Sequence, residues 1–357
     1  MKLNNFFEIS PYSLYREQKE FIFNKYLNDL TKYHYANCSH YKNMINSLGF
    51  SLKKSMNYAE LPFLPVRIFK KHNLYSVKEN NIIKTMTSSG TSGQKVSKIF
   101  LNKETSQNQT KALTKIVSEF VGRNRAPMII LDSQSVLKNR NMFSARGAGI
   151  LGFSIFGSKR IYALDENMDL DVDKLKTFIR EHKGKHIIIF GFTFMIYKYF
   201  MKKLNKNNIK IDLSNAVLIH GGGWKKLQNE SITSKDFRDI LYTTCGITKI
   251  HDYYGMVEQT GSIYMECENQ NLHASIFSDI FIRNPYDFSL SKRGTKGIIQ
   301  TLSILPNSYP GHSLLTDDEG VFLGEDDCKC GRLGKYFQII GRIKNAEIRG
   351  CSDTYEN

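Results

Sequence analysis

The stretch AVLIHGGGW, Ala216–Trp224, sets four apolar residues and a histidine before three consecutive glycines. A short apolar run that stops at glycines has the form of a strand buried on both faces and ending in a turn. Two similar runs precede it, PMIILD at 127–132 and GKHIIIFGFTF at 184–194, and KIHDYYG at 249–255 follows it. Helix-like segments separate them: MIYKYFMKKL after the second run, and Phe237, Ile240 and Leu241 at helical spacing after the third. Strand alternating with helix predicts an α/β domain with a largely parallel sheet. Ligands of such sheets bind beyond the carboxyl ends of the strands, where GGG and YYG stand.

On the N-terminal side, Leu14, Phe21, Tyr26, Leu27, Leu30 and Tyr33 recur at three- and four-residue steps, so residues 12–49 are predicted helical with Gly49 at a helix end. LPFLPVRIF (61–69), with two prolines three apart, predicts an extended connector. Asn102 is placed to cap a helix with Leu113, Ile116, Val117 and Phe120 on its apolar face. From about Ile276 the pattern shortens and alternates (IFSDIFI, GIIQTLSIL, GVFL, YFQIIGR), predicting a β-rich subdomain. The expected organisation is an α/β core over 1–275, a β-rich subdomain over 276–340 and a short tail over 341–357. No internal repeat or low-complexity tract interrupts it.

The 357 residues are 41% hydrophobic and 24% charged, which is ordinary globular composition. The longest uncharged apolar run, Ile187–Tyr197, is about half of the ~20 residues a transmembrane helix needs. MKLNNFFEIS lacks the apolar core of a secretory signal, so cytoplasm is the expected compartment. Six cysteines in a chain of this length do not form a disulfide framework; in a reducing compartment they are buried, metal-bound or catalytic. The net charge of +16 suits acidic partners, among them nucleotides, membrane surfaces and acidic carrier proteins. The lysines form no basic run of the kind that marks a nucleic-acid arm, and the abundance of Lys, Asn and Ile also matches the codon bias of an AT-rich genome.

TMTSSGTSGQKVSKI (85–99) holds seven successive Ser, Thr or Gly residues, Thr87 to Gly93, with Lys95 just beyond. Backbone amides and hydroxyls of such a loop can converge on phosphate oxygens while the lysine neutralises charge. A flexible linker is the alternative, but apolar residues resume on both sides (Ile82-Ile83 and Ile99-Phe100), as in a hairpin within a domain. Only two residues separate Gly90 from Gly93, so this is not a Walker A loop. There is no G-x-S-x-G elbow, G-x-G-x-x-G fingerprint or H-E-x-x-H.

The loop resembles the signature loop of the adenylate-forming superfamily, the acyl-CoA synthetases and their relatives, and further signatures follow in the same order. HGGGW (220–224) resembles the glycine segment beside the adenine, which implies roles for Gly221, Gly222 and Gly223. DYYGMVEQTG (252–261) resembles the Tyr-Gly-x-x-Glu motif through Tyr254, Gly255 and Glu258. LLTDDEG (314–320) resembles the segment whose aspartate, here Asp317, holds the ribose, and GRIKNAEIRG (341–350) resembles the Gly-Arg hinge motif through Arg342. EIRGCSDT, with Cys351 directly after Arg-Gly, together with CKCGR (328–332), is similar to the LuxE family of acyl-protein synthetases and its phenylacetate-ligase-like cousins. The resemblance covers nearly the whole chain.

It implies that ATP and a carboxylic acid, a fatty acid by the family's name, form an acyl-adenylate with release of pyrophosphate. The acyl group then passes to Cys351, where a partner such as a reductase, a transferase or an acidic carrier collects it. Ser88, Ser89, Gly90, Thr91, Ser92, Gly93 and Lys95 are candidates for the triphosphate, Glu258 for Mg²⁺, and Tyr253 or Tyr254 for stacking on adenine. Arg342 could reach ribose or phosphate, and the basic neighbours of Cys351 favour its thiolate. The superfamily's further C-terminal domain, with its adenylation lysine, is expected to have no counterpart in these residues, since seven follow Gly350. Cys267, His273, Cys328 and Cys330 have the composition of a structural Cys₃His zinc site, although C-x5-H and C-x-C are not zinc-ribbon spacings; ordinary cysteines are the alternative. His220 and His251 are either substrate-positioning or packing residues, and GFTFM (191–195) either lines the acyl pocket or is plain core. Two other functions compete: delivery to coenzyme A or a carrier, and a basic binding protein of the same fold without chemistry.

Overall fold

The computed structural model describes residues 3–50, 52, 55–88, 95–137, 145–222 and 232–343. They fall into two compact units, one of residues up to 88, 95–116 and 255–343, the other of residues 117–222 and 232–254. The division is not sequential and does not fall near 275, because the β-rich strands share a unit with the N-terminal helices.

The first unit opens on α1 (Leu3–Phe6), and α2 (Arg16–Asn37) and α3 (Ser39–Ser47) make up the helical stretch expected over 12–49. Gly49 leaves α3 in the left-handed region, at φ 66°, as a helix-terminating glycine does. The buried face of α2 coincides only in part with the apolar stripe, sharing Leu27 with it. Phe21 is 74% exposed and Tyr33 40%, whereas Lys19, Asn28, Thr31 and His34 are buried beside Phe23 and Leu27. β1 (Leu64–Pro65) pairs in parallel with Leu314-Leu315, and a 3₁₀ turn over Val66–Lys70 follows, so only the start of LPFLPVRIF is extended. β2 (Ile82–Thr87) and β3 (Lys98–Asn102) form an antiparallel hairpin. α4 (Lys103–Val121) is capped as expected: Asn102 Oδ1 accepts the Thr105 N–H at 2.9 Å.

The second unit is the α/β domain. Its strands are β4 (Ala126–Ser133), β5 (Gly157–Leu164), β6 (Ile187–Phe192), β7 (Ala216–Gly221) and β8 (Lys249–Tyr254). They pair in parallel in the order β5-β4-β6-β7-β8. β4, β6 and β7 are buried throughout, as apolar runs without alternation require. Around the sheet run α5 (Ala145–Ser154), α6 (Val172–Glu181), α7 (Thr193–Met195), α8 (Lys202–Lys206) and α9 (Ser234–Cys245), and Ile196–Met201 link α7 to α8 in a π-helical turn. Ile129, Leu131, Ile189, Leu218 and Phe237 meet in its core.

The remaining strands of the first unit are β9 (Tyr264–Glu266), β10 (Leu272–His273), β11 (Ser278–Arg283), β12 (Lys296–Ser303), β13 (Ser313–Glu325) and β14 (Lys335–Arg342). They are ordered β11-β12-β13-β14-β10-β9, with antiparallel pairing. Beneath this sheet lies a buried ionic knot. Asp279 accepts from Lys335 at 2.7 Å, Tyr58 at 2.8 Å and Lys19 at 3.3 Å. The knot explains the polar face of α2: Lys19 is 2% exposed because its ammonium reaches a carboxylate on β11. No described helix is long and apolar enough to cross a membrane.

Candidate active site

The Ser/Thr/Gly segment is the connection of the β2–β3 hairpin. Its stem is closed by Ser88 N–H donating to Ser97 O at 3.1 Å and Ser97 N–H donating to Ser88 Oγ at 2.9 Å. Ser88 is therefore a buried stem residue, and Lys95 beyond it is exposed. Ser89, Gly90, Thr91, Ser92 and Gly93 lie outside the described residues, as do Gly223 and Cys351.

In the second unit the carboxyl ends of the parallel strands gather the motif residues. Gly221 ends β7, and in the register of β7 with β8 it stands opposite Tyr253. A Cβ on Gly221 would lie 2.5 Å from Tyr253 Cε1, so the tyrosine ring occupies the space a side chain would need. That ring completes an aromatic wall, 5.0 Å from Phe153 of α5 and 6.4 Å from Phe190, with Phe192 edge-on to Phe190 at 5.7 Å. Gly149 of α5 faces the same wall, since a Cβ there would stand 3.0 Å from Phe192 Cζ. Phe192 of GFTFM thus belongs to the wall. Gly222, at φ 88°, turns the chain out of β7.

His220 is buried beneath these groups. The Thr193 hydroxyl donates to Gly221 O at 3.1 Å, so at 2.9 Å it accepts from His220 Nδ1–H. Burial, with Arg238 and His251 adding to it, pulls the His220 pKa down to about 3, so the ring is neutral at physiological pH. His251 packs edge-on to Phe120 at 5.0 Å. Both histidines have the surroundings of packing residues.

In the first unit Glu258 sits 2% exposed on the short 3₁₀ turn Val257–Gln259. Gln259 fixes that turn, its amide donating to Gly311 O at 2.9 Å and Thr301 O at 3.3 Å. Gly261, at φ 82°, packs against Gln109 of α4 so closely that a Cβ would lie 2.7 Å from its Cα. Asp317 and Asp318 stand where the ladder between β12 and β13 is irregular: Ile298 pairs with Glu319 and Gln300 with Leu315, leaving two extra residues on β13. Such a bulge re-aims side chains. Asp317 Oδ1 accepts from Arg67 Nε at 2.9 Å, Asp318 Oδ1 accepts from Arg342 Nε at 3.2 Å, and Ile343 N–H donates to Asp317 O at 3.1 Å. Arg67 carries no motif signal, and Asp318 lies inside LLTDDEG, where the resemblance singles out its neighbour Asp317.

Cys267, His273, Cys328 and Cys330 converge, with all four donor atoms within 4.8 Å of one another. Cys267 and Cys328 Sγ are 4.0 Å apart, and Cys330 Sγ is 3.4 Å from His273 Nε2. A tetrahedron with zinc–sulfur bonds of about 2.3 Å has sulfur–sulfur edges of roughly 3.8 Å, so the donors fit zinc with little movement. Burial pushes the Cys267 thiol up to about 12; Cys328, despite its burial, is held below the usual thiol range by the Cys330 amide and the Asn271 side chain. Among the described residues this is the one such cluster of metal-ligating side chains.

The sequence matches the protein family Acyl-protein synthetase, LuxE, over residues 3–357. The chain belongs to the LuxE family. It is 25% identical over 356 residues to the long-chain-fatty-acid–luciferin-component ligase of Aliivibrio fischeri, covering 96% of this chain and 90% of that one. Against the Vibrio harveyi ligase of the same name it is 23% identical over 349 residues, covering 94% and 88%. Its fold is similar to that of 2-hydroxyisobutyryl-CoA ligase. The TM-score is 0.70 at 14% identity against an open conformation in complex with 2-HIB-AMP and CoA, covering 95% of this chain and 79% of that one. Against the thioesterification state the TM-score is 0.71 at 15% identity, covering 94% and 70%. This LuxE-family protein is accordingly an AMP-forming ligase that activates a carboxylic acid.

Proposed function

We propose that the chain activates a long-chain fatty acid with ATP and transfers the acyl group to its own Cys351. The carrying observation is the family match, which runs through the tail to residue 357 and so includes Cys351. The substrate class is supported by the two curated relatives, both named as long-chain-fatty-acid ligases. In the first step a carboxylate oxygen attacks the α-phosphorus of ATP, the bond to the β-phosphate breaks, and pyrophosphate leaves. In the second, the Cys351 sulfur attacks the acyl carbon, the bond to the phosphate oxygen breaks, AMP leaves, and the thiol proton goes to solvent.

The glycines of the β2–β3 connection admit the phosphates, its hydroxyls donate to them, and Lys95 neutralises charge. Asp317, steadied by Arg67, accepts from the ribose hydroxyls, and Arg342 stands beside it through Asp318. Tyr253 is committed to the aromatic wall, which leaves Tyr254 to stack on adenine. The wall itself receives the apolar acid. Glu258 contributes the protein carboxylate for Mg²⁺, a hard cation commonly held by one or two carboxylates plus substrate phosphates and waters; when bound, the ion neutralises charge developing on the pyrophosphate. Zinc, held by Cys267, His273, Cys328 and Cys330, is structural, since four protein donors leave no open position. The excess of positive charge suits an acidic acyl-accepting partner.

The test is intact-protein mass after incubation with ATP, Mg²⁺ and a panel of fatty acids, wild type beside Cys351→Ser. The expected result is an ATP-dependent adduct of one acyl group that the variant lacks. An adduct that persists in Cys351→Ser would reject the acceptor, and pyrophosphate release without any adduct would move delivery to coenzyme A or a carrier.

A further inference from the structure

An apolar groove of about 780 Å³ lies in the first unit, between α3 and the segment that leads through β1 into the 3₁₀ turn. Met44, Leu48, Phe50, Phe63, Ile68 and Leu315 line it. Leu48 is 65% exposed there, and Phe288 on the groove's edge is 43% exposed, so large apolar side chains are left facing water. The volume falls in the range of small-molecule sites, and the polar lining is sparse. Among it are His40 and His72, whose rings lie 5.1 Å apart.

The groove is fastened to the root of the C-terminal tail. Arg67 sits between the lining residues Pro65 and Ile68, and its Nε reaches Asp317 Oδ1 at 2.9 Å. Leu315 precedes Asp317 by two residues on β13. Asp317 O in turn accepts from Ile343 N–H at 3.1 Å, and residues 344–357 continue from that point. Cys351 is eight residues past Ile343, a reach of up to roughly 26–29 Å for an extended chain. One aspartate thus joins the groove wall to the segment that bears the nucleophile.

We propose that this groove holds the hydrocarbon chain of the acyl group while it is carried on Cys351. The inference rests on the reading of Cys351 as acyl acceptor. An acyl thioester whose hydrocarbon chain lay in water would expose every methylene, and burial of apolar surface opposes that state. A site tethered within reach binds at high effective concentration, so modest affinity suffices. The groove differs from the aromatic wall of Phe153, Phe190, Phe192 and Tyr253, which belongs to the second unit and receives the acid before transfer.

The test uses the full chain, ATP, Mg²⁺ and a fatty acid bearing a terminal diazirine. After loading, the sample is irradiated and the cross-linked peptides are identified by mass spectrometry. Cross-links concentrated on the peptides containing residues 44–50 and 61–72 are expected, and Cys351→Ser should lose them. Leu48→Asp should remove the same cross-links and shorten the thioester half-life several-fold, with Leu48→Met restoring both. An adduct on Cys351 whose cross-links map elsewhere, or join two copies of the chain, would overturn the groove and leave the acceptor reading intact. No ATP-dependent adduct at all would overturn both.

Discussion

Gly221 carries no side chain because the Tyr253 ring lies 2.5 Å from where its Cβ would be. Gly221→Ala must therefore displace either β7 or that ring, and overpacking of this kind costs about 1–3 kcal/mol. Tyr253 precedes the tyrosine proposed to stack on adenine, so the expected outcome is a rise in KM for ATP of about tenfold, since 1.4 kcal/mol is a factor of ten. Steady-state kinetics check it, and an unchanged KM would mean the wall and the nucleotide site are independent. Arg67→Ala removes the partner of Asp317 Oδ1. Losing a hydrogen bond to a charged group weakens binding by about 1.5–3 kcal/mol, so ATP affinity measured by titration should fall ten- to a hundredfold. The glycine was legible in the sequence because three in a row after an apolar run have few other uses. Arg67 was not: an arginine in an apolar connector shows no partner until the fold brings β13 to it.

Among the elements, the short strand β10 and the Cys-x-Cys turn show how far spacing can mislead. Cys267 lies 61 residues from Cys328 and His273 lies 57 from Cys330, and the intervals match no zinc ribbon, yet the four donor atoms lie within 4.8 Å. β10 pairs with β14 and β9, and those pairings bring the two pairs of side chains together. Elemental analysis of the purified protein should find about one zinc per chain. Stripping it with a chelator, or Cys328→Ser, should lower the unfolding midpoint by several degrees, because binding energy of a structural metal is folding energy. A metal-free protein of unchanged midpoint would reduce the cluster to ordinary thiols. Helix α2 carries a different lesson. Its period was legible, but its buried face was not, because Lys19 finds Asp279 and His34 finds Ser76 at 2.7 Å and Pro306 O at 3.1 Å. Polar side chains with tertiary partners outweighed Phe21, which remains in water.

The whole molecule carries neutral buried histidines in both units, and their burial makes its stability fall in acid. Burial holds His34 at about 3 and likewise His220, against about 6.5 in an unfolded chain. Above pH 6.5 neither state is protonated and the full stability is present; between 6.5 and 3 only the unfolded chain binds the proton, so stability falls as pH falls. By pH 5 the loss is about 2 kcal/mol for each histidine. Melting curves between pH 7 and 5 should show this decline, and His34→Gln should flatten it; parallel slopes in wild type and variant would assign the decline to other groups. What the sequence by itself determined is the alternation of buried strands and helices, the ordered signatures and the residue types of the site, because apolar period, glycine freedom and hydroxyl-rich loops are local properties. The tertiary structure alone decided which polar side chains are buried, which carboxylates Arg67 and Arg342 pair with, how four distant Cys and His side chains meet and where an apolar groove stays open. Those depend on contacts between residues tens to hundreds of positions apart, which no local pattern encodes.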